Sequence, residues 1–133
     1  MSVFIETNSE SLFKHGEELC GDKVEIVRKG DVTTIVLADG LGSGVKANIL
    51  STLTSKIAAT MLSEGADIYE TVETVASTLP VCAERGLAYC TFTILRVNTD
   101  GKAHMVEFDN PQAIILRAGK EVPVEKKEIT IGD

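Results

Sequence analysis

Two aspartates set beside glycines are the residues of this sequence best placed to do chemistry. Asp39 closes the run Thr34-Ile35-Val36-Leu37-Ala38, and Gly40, Gly42 and Gly44 follow it. That run is continuously apolar and rich in β-branched residues, so it predicts a strand buried on both faces. A carboxylate where the strand leaves the core is rigidly held yet can reach solvent, metal or substrate. The glycines remove Cβ atoms and let another group approach the backbone closely. Hard cations such as Mg²⁺ and Mn²⁺ favour such oxygen ligands. Asp22, after Gly21, precedes Lys23-Val24-Glu25-Ile26-Val27, whose alternation predicts a half-buried strand, and Lys29-Gly30-Asp31 reads as a hairpin turn. Antiparallel pairing of the two strands would bring Asp22 and Asp39 to the same end of the sheet, the arrangement a metal pair uses.

Three readings of the 39–44 loop compete. Asp and Gly are common turn residues, so the loop could be a tight strand-to-helix turn with Ser43 as N-cap. It could instead cradle a phosphate on backbone N–H groups and a helix N-terminus. The sequence is not GxGxxG, however, and no GK[ST] follows, so neither dinucleotide nor P-loop binding is supported. Asp39 would moreover repel a phosphate unless a cation lay between them. The metal reading is the sharpest of the three.

The elements that must position these acids follow from periodicity. Val3 to Thr7 could form a strand. From Val45 to Ser63 the apolar positions Ile49, Leu50, Leu53, Ile57, Met61 and Leu62 keep helical spacing, with Gly65 as the stop. Ile68, Val72, Val75 and Leu79 form a second stripe that Pro80 closes. Both stripes are expected to face the core. Cys90 to Val97 predicts a strand, Asp100-Gly101 a hairpin, and His104 to Phe108 its return. Asp109-Asn110-Pro111 interrupts, Ala113 to Arg117 resumes, and Ala118-Gly119-Lys120 turns into a last strand rich in lysine and glutamate. The order β-β-β-α-α-β-β-β-β predicts an α+β protein with mainly antiparallel strands. Two helices would cover one face of the sheet, and a second sheet, making a sandwich, would cover the other.

At 133 residues, 44% hydrophobic and 25% charged, the chain fits one globular domain. A formal charge of −7 argues against nucleic acid or an anionic membrane as partner. No apolar run is long enough to span a bilayer, and no signal-peptide pattern opens the chain. Cys20, Cys82 and Cys90 are odd in number and lack a CxxC spacing, which predicts free thiols in a reducing cytoplasm. His15 and His104 belong to no convincing catalytic triad and read as surface or turn residues.

Gly21-Asp22, the stretch Ala38-Asp39-Gly40-Leu41-Gly42-Ser43-Gly44-Val45-Lys46-Ala47 and the helix opening at Asn48 together resemble the stage II sporulation E-type serine phosphatases, of the metal-dependent PPM superfamily. Cys90-Thr91-Phe92 and the stretch from Met105 through Pro111 to Arg117 are similar to that family's central strands. The resemblance implies a PPM phosphatase-like β-sandwich of mainly antiparallel strands flanked by helices. It also implies two Mn²⁺ or Mg²⁺ ions at one end of the sandwich. By that resemblance Asp39 bridges both metals, Asp22 binds one, and the Gly40 carbonyl adds a ligand. A water held between the ions then attacks the phosphorus of phosphoserine or phosphothreonine on a regulatory protein, with no side-chain nucleophile. A homodimer is compatible with this reading.

The sequence departs from the family in two places. Where many relatives carry Asn-Ala-Gly-His, this chain has Asp109-Asn110-Pro111-Gln112, so that His has no counterpart. The family's later metal-binding acids would lie past residue 133, and Asp133 is not taken as a ligand. Residues 1–133 are therefore expected to form the N-terminal part of a single phosphatase domain, incomplete as it stands. The isolated chain would then have little activity. The rival reading is a non-catalytic PPM-like module that binds a partner or a cation; a weaker one is a small α+β domain binding a phosphorylated ligand.

Overall fold

The computed structural model describes residues 3–12, 21–40, 44–78, 81–82, 87–88, 91–108 and 110–123. Its frame is a four-stranded antiparallel sheet. β1 (Asp22–Lys29) pairs with β2 (Val32–Asp39) through a turn in which Gly30 takes φ +60°. α1 (Gly44–Ser63) and α2 (Ile68–Thr78) follow. Two short strands, β3 (Val81–Cys82) and β4 (Leu87–Ala88), pair with each other. β5 (Thr91–Asn98) then returns beside β2, and β6 (Ala103–Phe108) pairs with β5 to give the order β1-β2-β5-β6. β7 (Leu116–Arg117) and β8 (Lys120–Glu121) form a small hairpin around Ala118 and Gly119, both at positive φ. The α+β class and the antiparallel sheet flanked by helices agree with the sequence reading.

Register sorts the side chains into two faces, because directly opposed residues project to the same side. The helix-facing side carries Val36 and Ala38 of β2 and Phe92 and Ile94 of β5, all buried against Ala58, Ala59, Leu62, Ile68, Val72 and Val75. Phe92 and Phe108 stack across β5 and β6 at 5.1 Å. The helices are closed by local signals. Gly65 takes φ +98°, and Ala66 N donates to the Met61 carbonyl, a Schellman closure of α1. Asp67 caps α2 by accepting from Tyr69 N at 2.6 Å.

The packed face of α1 is the expected one only in part: Leu50 and Leu62 are buried and Ile57 packs against the core, as expected. Ala47, Leu50, Ser51, Thr54, Ser55, Ala58, Ala59 and Leu62 are buried, whereas Ile49 and Leu53 are 50% and 45% exposed. The buried stripe is built of small residues, which lets the helix axis approach the sheet closely. The buried Thr54 hydroxyl donates within the helix, to the Leu50 carbonyl at 2.8 Å. Ile68, Val72 and Val75 do face the core as expected, while Leu79 and Pro80 lie outside the described residues.

β2 is buried along its helix side, and on the other face only Thr33 is fully buried. On the opposite face Ile35 is half-buried and Leu37 is 43% exposed. Among the described residues no second sheet of comparable size covers that face; β3–β4 and β7–β8 are two-residue ladders. Irregular segments border it instead. Arg28 donates to the Ile5 carbonyl at 3.3 Å and Thr7 Oγ1 at 3.1 Å, and Asn110 Nδ2 to Thr93 Oγ1 at 2.9 Å. Residues 3–7, expected as a strand, are not one: Val3 N makes a single bond to the Thr99 carbonyl, and no ladder forms. The strand expected over 113–117 shrinks to Leu116–Arg117, paired only with the two-residue β8, and Ile114 and Leu116 are exposed. Of the cysteines, Cys20 and Cys90 lie outside the described residues. His104 is an exposed residue of β6, edge-on to Tyr69.

Candidate metal centre

The hairpin places the two acids as its geometry requires. β1 and β2 are each eight residues long and pair without a bulge, so Asp22 and Asp39 are direct cross-strand partners in the final register position. On its other side Asp39 faces Thr91 of β5. Asp22 belongs to β1 rather than preceding it, and Asp39 is the last residue of β2. Gly40 N donates to the Gly21 carbonyl at 2.9 Å, which extends the ladder one step past the acids and fixes their spacing.

Gly40 has a steric role that the sequence only hinted at. A Cβ there would overlap the Ala47 backbone of α1, so glycine is what allows the first turns of α1 to close onto the strand end. Ser43, the expected N-cap, lies outside the described residues together with Leu41 and Gly42.

Electrostatics mark the pair. Asp22 is an exposed residue, yet partial burial of its carboxyl raises its pKa above the ordinary 3.8. The neighbouring Asp39 charge raises it further, and so does a hydrogen bond with Asp39, which favours a shared proton. Two like charges held this close are what a cation relieves. The donor set consists of hard carboxylate oxygens and suits Mg²⁺ or Mn²⁺ rather than a thiophilic metal. Among the described residues no group of three or more His, Cys, Asp and Glu side chains converges, so these residues supply two carboxylates.

The site borders a residue that sequence reading passed over. Asn110, treated as part of an interruption, donates to Thr93 Oγ1 and, at 3.5 Å, to the Leu37 carbonyl. It thereby ties the segment after β6 to the two strands that lead to Asp39 and Thr91. A long-range bond of this kind leaves no local sequence signature.

Comparison with known proteins bears on the family and the fold. The family profile described as stage II sporulation protein E (SpoIIE) matches residues 29–133, which includes Asp39 and Gly40 and begins after Asp22. The PP2C phosphatase domain of SpoIIE from Bacillus subtilis superposes with a TM-score of 0.61 at 20% identity, over 76% of this chain and 36% of that one. RsbX, crystallised with magnesium, gives 0.56 at 20% identity, over 78% and 62%. The RsbU and RsbW domains of Rv1364c from Mycobacterium tuberculosis give 0.52 at 20% identity, over 65% and 24%. The chain thus spans roughly a quarter to three fifths of the length of these structures. A sequence comparison with curated proteins gives no match.

Proposed function

Because this chain belongs to the stage II sporulation protein E family, we propose that it acts in metal-dependent removal of phosphate from phosphoserine or phosphothreonine of a regulatory protein. The observation that carries the proposal is the pairing of Asp22 with Asp39 at the end of the β1–β2 ladder, where burial and then the neighbouring Asp39 charge raise the pKa of Asp22. Asp22, Asp39 and the Gly40 carbonyl are the groups assigned to hold Mn²⁺ or Mg²⁺, and magnesium in the related RsbX fold supports that choice. Bound divalent ions would supply Lewis acidity there, lowering the pKa of a nucleophilic water and neutralising phosphoryl oxygens. The chain's own part is positional. β2 holds Asp39 rigidly, β1 delivers Asp22 to it, and Gly40 keeps α1 packed behind them.

The phosphoprotein partner and a cytoplasmic setting are part of the same proposal. A net charge of −7 supports a protein rather than a nucleic-acid partner, and no described helix is long and apolar enough to cross a membrane. One observation favours a second reading, a cation-binding interaction module without turnover: among the described residues only two carboxylates meet. Phosphopeptide hydrolysis in Mn²⁺ separates the two. Turnover that Asp39→Asn abolishes supports the phosphatase. Turnover unchanged in that variant removes Asp39 from the assignment, and Mn²⁺ binding without any turnover supports the module.

A further inference from the structure

At the end of the sheet remote from the aspartates, on its helix side, a cavity of about 100 Å³ opens between the strands and the C-terminal turn of α1. Seven residue steps separate Asp22 from Lys29 along β1, which puts the two ends about 23 Å apart. The cavity is lined by Lys29, Arg96, Thr34 and Ser63, with Val27 and Leu62 among its apolar walls. Register explains the convergence: Val27, Thr34 and Arg96 form one cross-strand row, and Lys29 lies two residues along β1 on the same face.

Arg96 is half-buried and has no carboxylate partner among the described residues, in a chain of net charge −7. The last carbonyls of α1 already have donors nearer in the chain. The Thr60 carbonyl accepts from Glu64 N and Ser63 Oγ, Met61 from Ala66 N, and Leu62 from Gly65 N. Among the described residues the ion-pair partner of Lys29 is the exposed Glu64 at 3.5 Å, a pair that solvent screens and an anion can displace. A planar guanidinium, an ammonium and the Thr34 hydroxyl beside a small space with apolar walls match an oxyanion, since charge-assisted hydrogen bonds are the strong ones.

We propose that this cavity is a binding site for a small tetrahedral oxyanion of phosphate size, seated on Arg96 and Lys29. The site is independent of the aspartate pair and of the phosphatase reading. Its source would be free phosphate or the phosphoryl group of a small monoester, which share this chemistry.

The test is a ¹⁵N NMR titration of the chain with sodium phosphate, at an ionic strength held constant with sodium chloride. Saturable shifts of the Arg96 Nε–H and of the Thr34, Ser63 and Gly65 amides are expected. Arg96→Gln should weaken binding roughly tenfold or more, the loss of one charge-assisted contact. Lys29→Gln should weaken it less, and Asp39→Asn should leave it unchanged. A parallel titration with O-phosphoserine identifies the source: binding there points to a monoester, and binding of phosphate alone to the free ion. Shifts that track ionic strength, that centre on Asp22 and Asp39, or that persist in folded Arg96→Gln overturn the proposal. Should Arg96→Gln fail to fold, absence of a saturable Arg96 shift in the parent chain does so.

Discussion

Asp22 is a residue whose charge costs the metal-free fold something. Its pKa is raised in the folded state, so the native chain holds that proton more tightly than the unfolded one. The associated stability is complete below the ordinary carboxylate value of 3.8 and is lost as pH rises through the higher folded value. Asp22→Asn should therefore stabilise the metal-free chain at neutral pH, by about 0.2–1 kcal/mol for so exposed a group. It should also flatten this part of the pH profile and weaken Mn²⁺ binding. Denaturant melts at several pH values, with and without Mn²⁺, check all three effects. Gly40 makes the opposite demand. Gly40→Ala would drive a Cβ into the Ala47 backbone, and should cost about 1–3 kcal/mol as α1 is displaced. Retained stability and unchanged amide shifts through residues 45–50 would contradict the close approach.

At the scale of elements, α1 is where hydrophobicity alone misleads. The helix was legible from its spacing and its Gly65 stop, yet its buried stripe runs through Ser51, Thr54, Ser55, Ala58 and Ala59 instead of Ile49 and Leu53. Small residues fill the middle of that face, between the buried Leu50 and Leu62, because a tightly packed contact leaves little room for long side chains there. Leu53→Ala should consequently cost less than about 1.5 kcal/mol, because the side chain already meets solvent. Ile94→Ala, at the centre of the core, should cost about 2–5 kcal/mol. Urea midpoints of the two variants decide the order, and equal losses would put Leu53 back in the core.

For the whole molecule the outstanding feature is the sheet face opposite the helices, which no second sheet of comparable size covers among the described residues. By register Val24, Ile26, Ile35, Leu37, Leu95 and Met105 share it, and Leu37 is open to solvent. An apolar surface of this kind binds hydrophobic dyes and promotes association. The chain should enhance ANS fluorescence while keeping a cooperative melt, and Leu37→Ser should reduce the enhancement. A chain that binds no dye has that face covered in solution.

The sequence by itself determined the things that local chemistry controls: the β1–β2 hairpin with its Gly30 turn, the extents of the two helices, and the Asp100-Gly101 hairpin. It also determined that Asp22 and Asp39 meet, because a two-residue turn and two strands of equal length leave one register. Only the tertiary structure decided which side of α1 is buried and that Leu37 of β2 meets solvent. It likewise decided where the 110–113 segment attaches and that Arg96 and Lys29 share a cavity. These depend on contacts between residues far apart in the chain, where many arrangements satisfy the same local pattern and packing selects among them.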